Sequence, residues 1–337
     1  MKRKLKNSCA LIFALLLLSM LFSACGQPAS SPEGPAAPTS ASDYPTKPVR
    51  VMTPFDPGAA SDMQLRIISK YAKPHLGVEL VVENVPGAGG QVGWNQFSTA
   101  GIDSYYISCM FLPHVIVMPL VNDTEFSIDT FDPIALWNTD PSAIAVANDS
   151  PYQSLQDLID DAKSRPGEIT IGSGGVYGAH HLLIMAIEAA AGVTVTHLPQ
   201  ASMNGVLSAM YGGHVDVGSG NTTDFYQNKD NVRVLAVAGK ERSPFFPDVP
   251  TFEELGYEGI VLSVDRGLAV RKGTPEDVRQ KLEDDFMALF ADPDFVAEAE
   301  QAGIVLTPMR GAELQAELPE RIDFLVNLLR ETGALKE

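Results

Sequence analysis

Three cysteines in 337 residues are too few for a disulfide framework or a thiolate zinc site. Cys9 and Cys25 lie near the N-terminus, so Cys109 is left alone in the remaining chain and has no bridging partner. Basic side chains are also scarce: 24 Lys and Arg face 42 Asp and Glu, a net charge of −18. That sign repels phosphate backbones and anionic leaflets, which excludes nucleic-acid binding. Enzyme signatures are missing too. The string GAGGQVG at 87–93 departs from the GxGxxG spacing, and Ser173 follows Ile171 and Gly172, so GxSxG fails as well. There is no Walker loop and no HExxH, and the adjacent His180 and His181 would point to different faces of a helix instead of sharing a metal. No cofactor or metal is expected.

Long uncharged runs are nearly absent, and the exception is informative. Residues 9–22 form a 14-residue stretch of small and apolar side chains behind Lys2, Arg3, Lys4 and Lys6. This is a secretory signal, shorter than the roughly 20 residues a membrane-spanning helix needs. It ends in Ser23-Ala24-Cys25, two small residues before a cysteine, which marks Cys25 as the lipidation site and 1–24 as the lipoprotein signal peptide. Removing it leaves 20 basic against 42 acidic side chains, a net of −22. The following stretch to Thr46 has no Val, Ile, Leu, Met or Phe and cannot bury a core, so 25–46 is expected to be a flexible tether.

From Val49 onward, short β-branched runs alternate with stretches of helical period, the pattern of an α/β fold with mainly parallel strands. Strands are expected at 49–53, 78–83, 105–110, 143–147, 168–172, 193–198, 215–218, 232–237 and 268–270. Ser61-Asp62-Met63-Gln64 has capping-box spacing before a helix stopped by Pro74, Ser154 to Asp157 opens a second helix, and Thr274-Pro275 caps a third. Cys109 sits in the apolar run 105–110 and reads as a buried spectator thiol rather than a nucleophile. A core of about 290 residues exceeds the usual size of one domain, so two lobes joined by ordered crossings, with a hinge and a cleft, are expected. The crossings are placed near 143–149 and 266–273, giving lobe 1 as 47–146 with 267–337 and lobe 2 as 147–266.

Three glycine-rich loops lie at strand-to-helix junctions, where α/β folds place ligands: 54–62, 84–91 and 172–181. Glycine allows close backbone approach, and helix N-termini present unpaired N–H groups at the positive end of a dipole, so small anions are the natural guests. Ser61 serves equally as a cap or as a ligand contact.

The stretch YPTKPVR at 44–50, PFDPGAASD at 54–62, VENVPGAGG at 82–90, GHVDV at 213–217, KERSP at 240–244 with PDVPT at 247–251, and GTP at 273–275 occur in that order. Together they resemble the Bug-type solute receptors of tripartite tricarboxylate transporters. The resemblance implies a two-lobed periplasmic-binding-protein fold, not an enzyme, closing on a small organic carboxylate held by main-chain groups of the first two loops. The ligand-facing set is then Phe55, Gly58, Ala59, Ser61 and Asp62, then Pro86, Gly87, Ala88, Gly89 and Gly90, and Ser173, Tyr177 and His181 of the third loop. There His181 matches the family histidine, while Gly178, Ala179 and His180 replace small hydroxyl residues. Arg266 matches a charged family variant and would clamp a second carboxylate, unless it pairs with Asp265 or another acid. Asp216 and Asp224 read as structural, with Asp216 also able to receive a ligand amino group.

These readings converge on a monomeric, lipid-anchored receptor on the extracytoplasmic face of a bacterial membrane, handing a small carboxylate to the membrane components of such a transporter. The alternatives are a secreted hydrolase using Ser173 or His181, or a receptor serving a sensor. If Cys25 carries the lipid, Cys25→Ser should move the protein from the membrane fraction to the soluble fraction. Retention of a mutant whose signal has been processed would contradict the anchor.

Overall fold

The computed structural model describes residues 44–335. The signal peptide, Cys25 and most of the tether lie outside the described residues. Among the described residues no helix is long and apolar enough to cross a membrane.

Two sheets are built around shared strands. In the first, β1 (Val49–Thr53) pairs parallel with β2 (Leu80–Asn84) and with β3 (Tyr106–Leu112). Beyond β3 come β9 (Ser263–Arg271) and β4 (Phe131–Ala147), and the two-residue β10 (Met309–Arg310) closes the edge. In the second sheet, β5 (Thr170–Ser173) lies parallel to β6 (Thr196–Pro199) and β7 (Val217–Asn221), while β7 and β8 (Val232–Val237) flank β4 antiparallel. The expected strands appear with bounds shifted by a few residues, but the mainly parallel arrangement does not. β4 and β9 run antiparallel to every neighbour, because they carry the chain between the sheets.

β4 is much longer than the expected 143–147. Its first part pairs with β9 as far as Pro141↔Ser263, and from Ser142 onward it pairs with β7 and β8. The exchange falls where Pro141 withholds a ladder N–H. There Ser142 N–H donates to Leu262 O (2.9 Å), and Ala238 N–H donates to Ser142 O (2.7 Å). The sheets therefore exchange at 141–142 and 262–263, upstream of the expected crossings. Polar residues conceal the strand from an apolar reading, yet each is satisfied: the buried Asn138 donates to Val305 O (2.7 Å), and the buried Asp140 accepts from Thr222 and Thr223.

Helices cover the sheets. α1 (Ala60–Leu76) starts without a side-chain cap, so Ser61 is not the expected cap. Ser61 lies inside the first turn, buried, with Oγ 3.3 Å from Thr53 Oγ1. Nor does Pro74 stop the helix; the stop is Gly77, at φ +78. α2 (Gln91–Thr99) and α3 (His114–Val121) follow, and α4 (Leu155–Ser164) has the expected capping box between Ser154 and Asp157. α5 (Ala179–Ala191), α6 (Met203–Tyr211) and α7 (Thr222–Tyr226) belong with the second sheet. In α8 (Glu276–Phe290) the expected stripe Val278, Leu282, Phe286 and Leu289 is buried, although Thr274 Oγ1 bonds back to Arg271 O instead of capping. After α9 (Pro293–Gln301), the last helix, α10 (Gly311–Glu331), packs on β4, α3 and α5.

One ion pair fixes α10 to the crossing strands. Asp265 on β9 is fully buried and accepts from Ser263 Oγ (2.6 Å) and from Arg321 of α10. Arg321→Leu leaves that carboxylate buried without a counter-charge, and removing one partner of such a pair costs about 3 kcal/mol or more. Urea unfolding should show this loss, and a variant with unchanged stability would refute the role.

Candidate ligand-binding site

The first two loops are tied by one carboxylate. Asp62, almost wholly buried, accepts from Gly58 N–H (2.8 Å), Arg66 Nε (2.9 Å) and Asn84 Nδ2 (2.9 Å). Asn84 Nδ2 also donates to Phe55 O (3.0 Å). Its bond to Arg66 foremost, with those from Gly58 and Asn84, holds the Asp62 carboxyl down at about 2 against the effect of burial. Asp62 is thus a structural tie whose side chain faces inward. Ala59 N–H is spent on Asp56 O (3.1 Å). The donors this loop can offer are the first-turn N–H groups of α1, at Ala60, Ser61 and Asp62, which have no intrahelical acceptor. Phe55 forms an apolar wall, 5.4 Å from Phe111 and 6.3 Å from Trp94 between ring centroids.

The second loop has four successive residues at positive φ: Gly87, Ala88, Gly89 and Gly90. Gly90 is required by packing as well, since a Cβ there would lie 2.6 Å from the Trp94 ring. Gly89 is different: a Cβ would meet only Met118, at 3.4 Å, so its openness is not dictated by the core. Pro86 and residues 87–89 are exposed. A non-glycine residue held at φ 48, Ala88, marks strain of the kind found at binding loops.

The third loop is organised by histidines. The buried Ser173 donates Oγ–H to Gly175 O (2.9 Å), and its Oγ lies 2.7 Å from His197 Nε2. With the hydroxyl proton on Gly175, the imidazole must be the donor, the reverse of a general base. His197 stacks on His181 with centroids 4.0 Å apart, and His181 Nδ1 accepts Tyr177 N–H (3.0 Å), at a tyrosine with φ +59. Burial first, and His197 second, lower His181 to about 4, and burial also lowers His197, so the stack is uncharged at neutral pH. No carboxylate bonds to His197 among the described residues, so the pair lacks the third member of a triad.

The remaining expected residues divide. Asp216 is not brought to the site: it binds Thr170 N–H and Oγ1 (2.8 and 2.7 Å) at the starts of β5 and β7, whereas the loops lie at the strands' C-terminal ends. Asp224 caps α7 through Asn221 N–H (3.2 Å). Arg266 does not pair with Asp265, which Arg321 occupies, but donates to the Asn138 amide oxygen across β4 and β9. A cavity of about 560 Å³ lined by Tyr226, Phe245, Phe290 and Ile304 lies elsewhere and includes none of the glycine loops.

His114 escaped the sequence reading. It opens α3 beyond the end of β3, and a Cβ on Gly178 of the third loop would come 3.3 Å from its Nε2. Residues of both sheets therefore meet there. An isolated histidine in the apolar string FLPHVIVM was the only available signal. Asn221, which accepts from His180 Nε2 (2.9 Å), and His197 gave none.

Comparison with known proteins agrees with this architecture. Residues 65–316 match the family described as tripartite tricarboxylate transporter family receptor, TctC. The UPF0065 protein in the gbd 5' region of Cupriavidus necator is 31% identical over 266 residues, covering 77% of this chain and 79% of its own. A TctC solute binding protein from Polaromonas, solved without ligand, superposes with a TM-score of 0.75 at 26% identity, covering 86% of this chain and 99% of that one. The periplasmic binding protein BugD gives 0.73 at 29%, covering 87% and 100%. The chain thus has the two-lobed fold of periplasmic solute receptors, not enzymes, and belongs to the Bug-type TctC receptor family of the tripartite tricarboxylate transporters.

Proposed function

We propose that this receptor captures a small organic carboxylate between its lobes and presents it to the membrane components of a tripartite tricarboxylate transporter, acting as a monomer held to the membrane by lipid on Cys25 and by the tether 25–46. One observation carries the ligand class: the first-turn N–H groups of α1 and the positive-φ loop at 87–90 are bound to one another through Asp62 and Asn84. A helix N-terminus contributes roughly 0.3–1 kcal/mol toward an anion, and up to about 2 when partly buried. The N–H groups of Ser61, Asp62, Gly87, Ala88 and Gly89 hold the carboxylate, Phe55 walls its apolar part, and Tyr177 and His181 close over it from the other lobe. Ser173 supports His197 from behind. The hinge lies where β4 and β9 change sheets, so lobe 2 moves as one body about 141–142 and 262–263.

A thermal-shift series of mono-, di- and tricarboxylates tests this reading. At ligand a hundred times Kd, binding adds about 2.7 kcal/mol of stability, and small-angle scattering should show the particle contract. Stabilisation by no carboxylate would refute the ligand class, and binding without contraction would refute the hinge.

Gly89→Val tests the loop directly, because it leaves the core untouched while burdening a backbone at φ +66 and filling the space above it. Calorimetry should find affinity reduced well beyond the tenfold that about 1.4 kcal/mol represents, with Gly89→Ala intermediate. A folded Gly89→Val protein with unchanged affinity would refute capture by this loop.

A further inference from the structure

His114 has no role in the carboxylate site described above, yet its placement is costly. Its Nδ1 is shut off from solvent and finds no hydrogen-bond partner among the described residues. A buried polar atom without a partner typically costs 1–3 kcal/mol, so a fold that keeps one points to a partner arriving from outside. Its surroundings indicate what that partner is. Arg266 on β9 and His180 on α5 are its electrostatic neighbours. The Arg266 guanidinium has no ion pair among the described residues and spends one donor on the neutral Asn138. Asp140, on the far side of Arg266, is already engaged by Thr222 and Thr223.

α3 sets the geometry. His114 and Met118 share a helix face at i and i+4. Met118 lies against Gly89 of the carboxylate loop, and His114 against Gly178 of the third loop. One helix turn thus separates the proposed carboxylate loop from the cluster of His114, Arg266 and His180.

We propose that His114, Arg266 and His180 form a distal pole of the cleft that receives a second acidic group of the ligand, with His114 as the specificity-determining residue. This rests on capture of the first carboxylate by the loops at 54–62 and 86–90. A consequence concerns protons. Burial chiefly, then His180 and Arg266, hold free His114 down at about 4, so it is neutral at physiological pH. An anion seated beside it favours the imidazolium, so a diacid should bind with proton uptake. Affinity for the diacid then rises as pH falls toward about 4, where the free imidazole also protonates and the gain ends.

The experiment compares succinate with butyrate, and glutarate with pentanoate, by calorimetry at about pH 6 in two buffers of different ionisation heat. It uses wild type, His114→Phe and Arg266→Gln, with melting curves to confirm folding. His114→Asn, which keeps a polar atom near Nδ1, replaces the Phe variant if that fails to fold. His114→Phe should lower diacid affinity at least tenfold, leave monoacid affinity within about twofold, and abolish the buffer-dependent heat. Arg266→Gln should lower diacid affinity in the same selective way. Equal losses for both acids, unchanged diacid affinity, persistent proton uptake in the His114 variant, or wild-type preference for the monoacid would overturn the distal pole while leaving carboxylate capture standing. Binding of neither acid class by wild type would overturn both.

Discussion

The pairing of β4 with β9 is the constraint on which the other features depend. Both strands belong to the first sheet along most of their length, and β4 continues as the central strand of the second. Each sheet therefore inherits its orientation from the same two strands, and the chain passes between sheets through ordered ladder hydrogen bonds instead of through a linker. Such a crossing can bend at a few φ/ψ angles while the sheets on either side stay rigid. It also brings Asn138, Asp140 and Arg266 to the junction, because residues on adjacent antiparallel strands must face one another. The Asp265–Arg321 pair then holds α10 against the same crossing.

A protein with a net charge of −18 is a poor attractor of anions at long range. Physiological salt resolves part of that conflict, since surface charges more than about 8 Å away are largely screened. At contact distance the local groups dominate. The first turn of α1 and the turn at 87–90 present partial positive charge from N–H groups that the fold has left without acceptors, and Asp62, the one carboxylate among them, is turned inward and neutralised by Arg66. Backbone dipoles also bring no mobile side chain that must be ordered on binding, which keeps the entropic cost of capture small.

The third loop shows how closely a supporting hydrogen bond can imitate catalytic equipment. Ser173 and His197 are within 2.7 Å, the distance expected of a nucleophile and its base. The serine proton is directed to Gly175 instead, the serine is buried, and the imidazole has an uncharged histidine for a neighbour. The same atoms that would activate an exposed serine here fix the shape of a glycine loop, consistent with a family of solute receptors.

Element types, the α4 capping box, the stripe of α8 and the three glycine loops were legible in the chain because each depends on residues a few positions apart, where periodicity and turn chemistry operate. Ordering of the motifs was equally legible and was enough to indicate the family. Tertiary structure decided the rest. The length and direction of β4 and β9 follow from pairing between segments more than 120 residues apart, such as Asn138↔Arg266, and no local pattern reports that. Ser61 looks like a cap in sequence, yet Thr53 and the entry angle of α1 turn it into a packed hydroxyl. Asp216 shares a motif with site residues but lies at the wrong end of its strand, and Arg266 lost its adjacent acid to Arg321, 56 positions from Asp265. His114 became visible only when Gly178, from the other sheet, was brought against its ring. A side chain's type is written locally, whereas its partner is chosen by whichever distant segment the packing delivers.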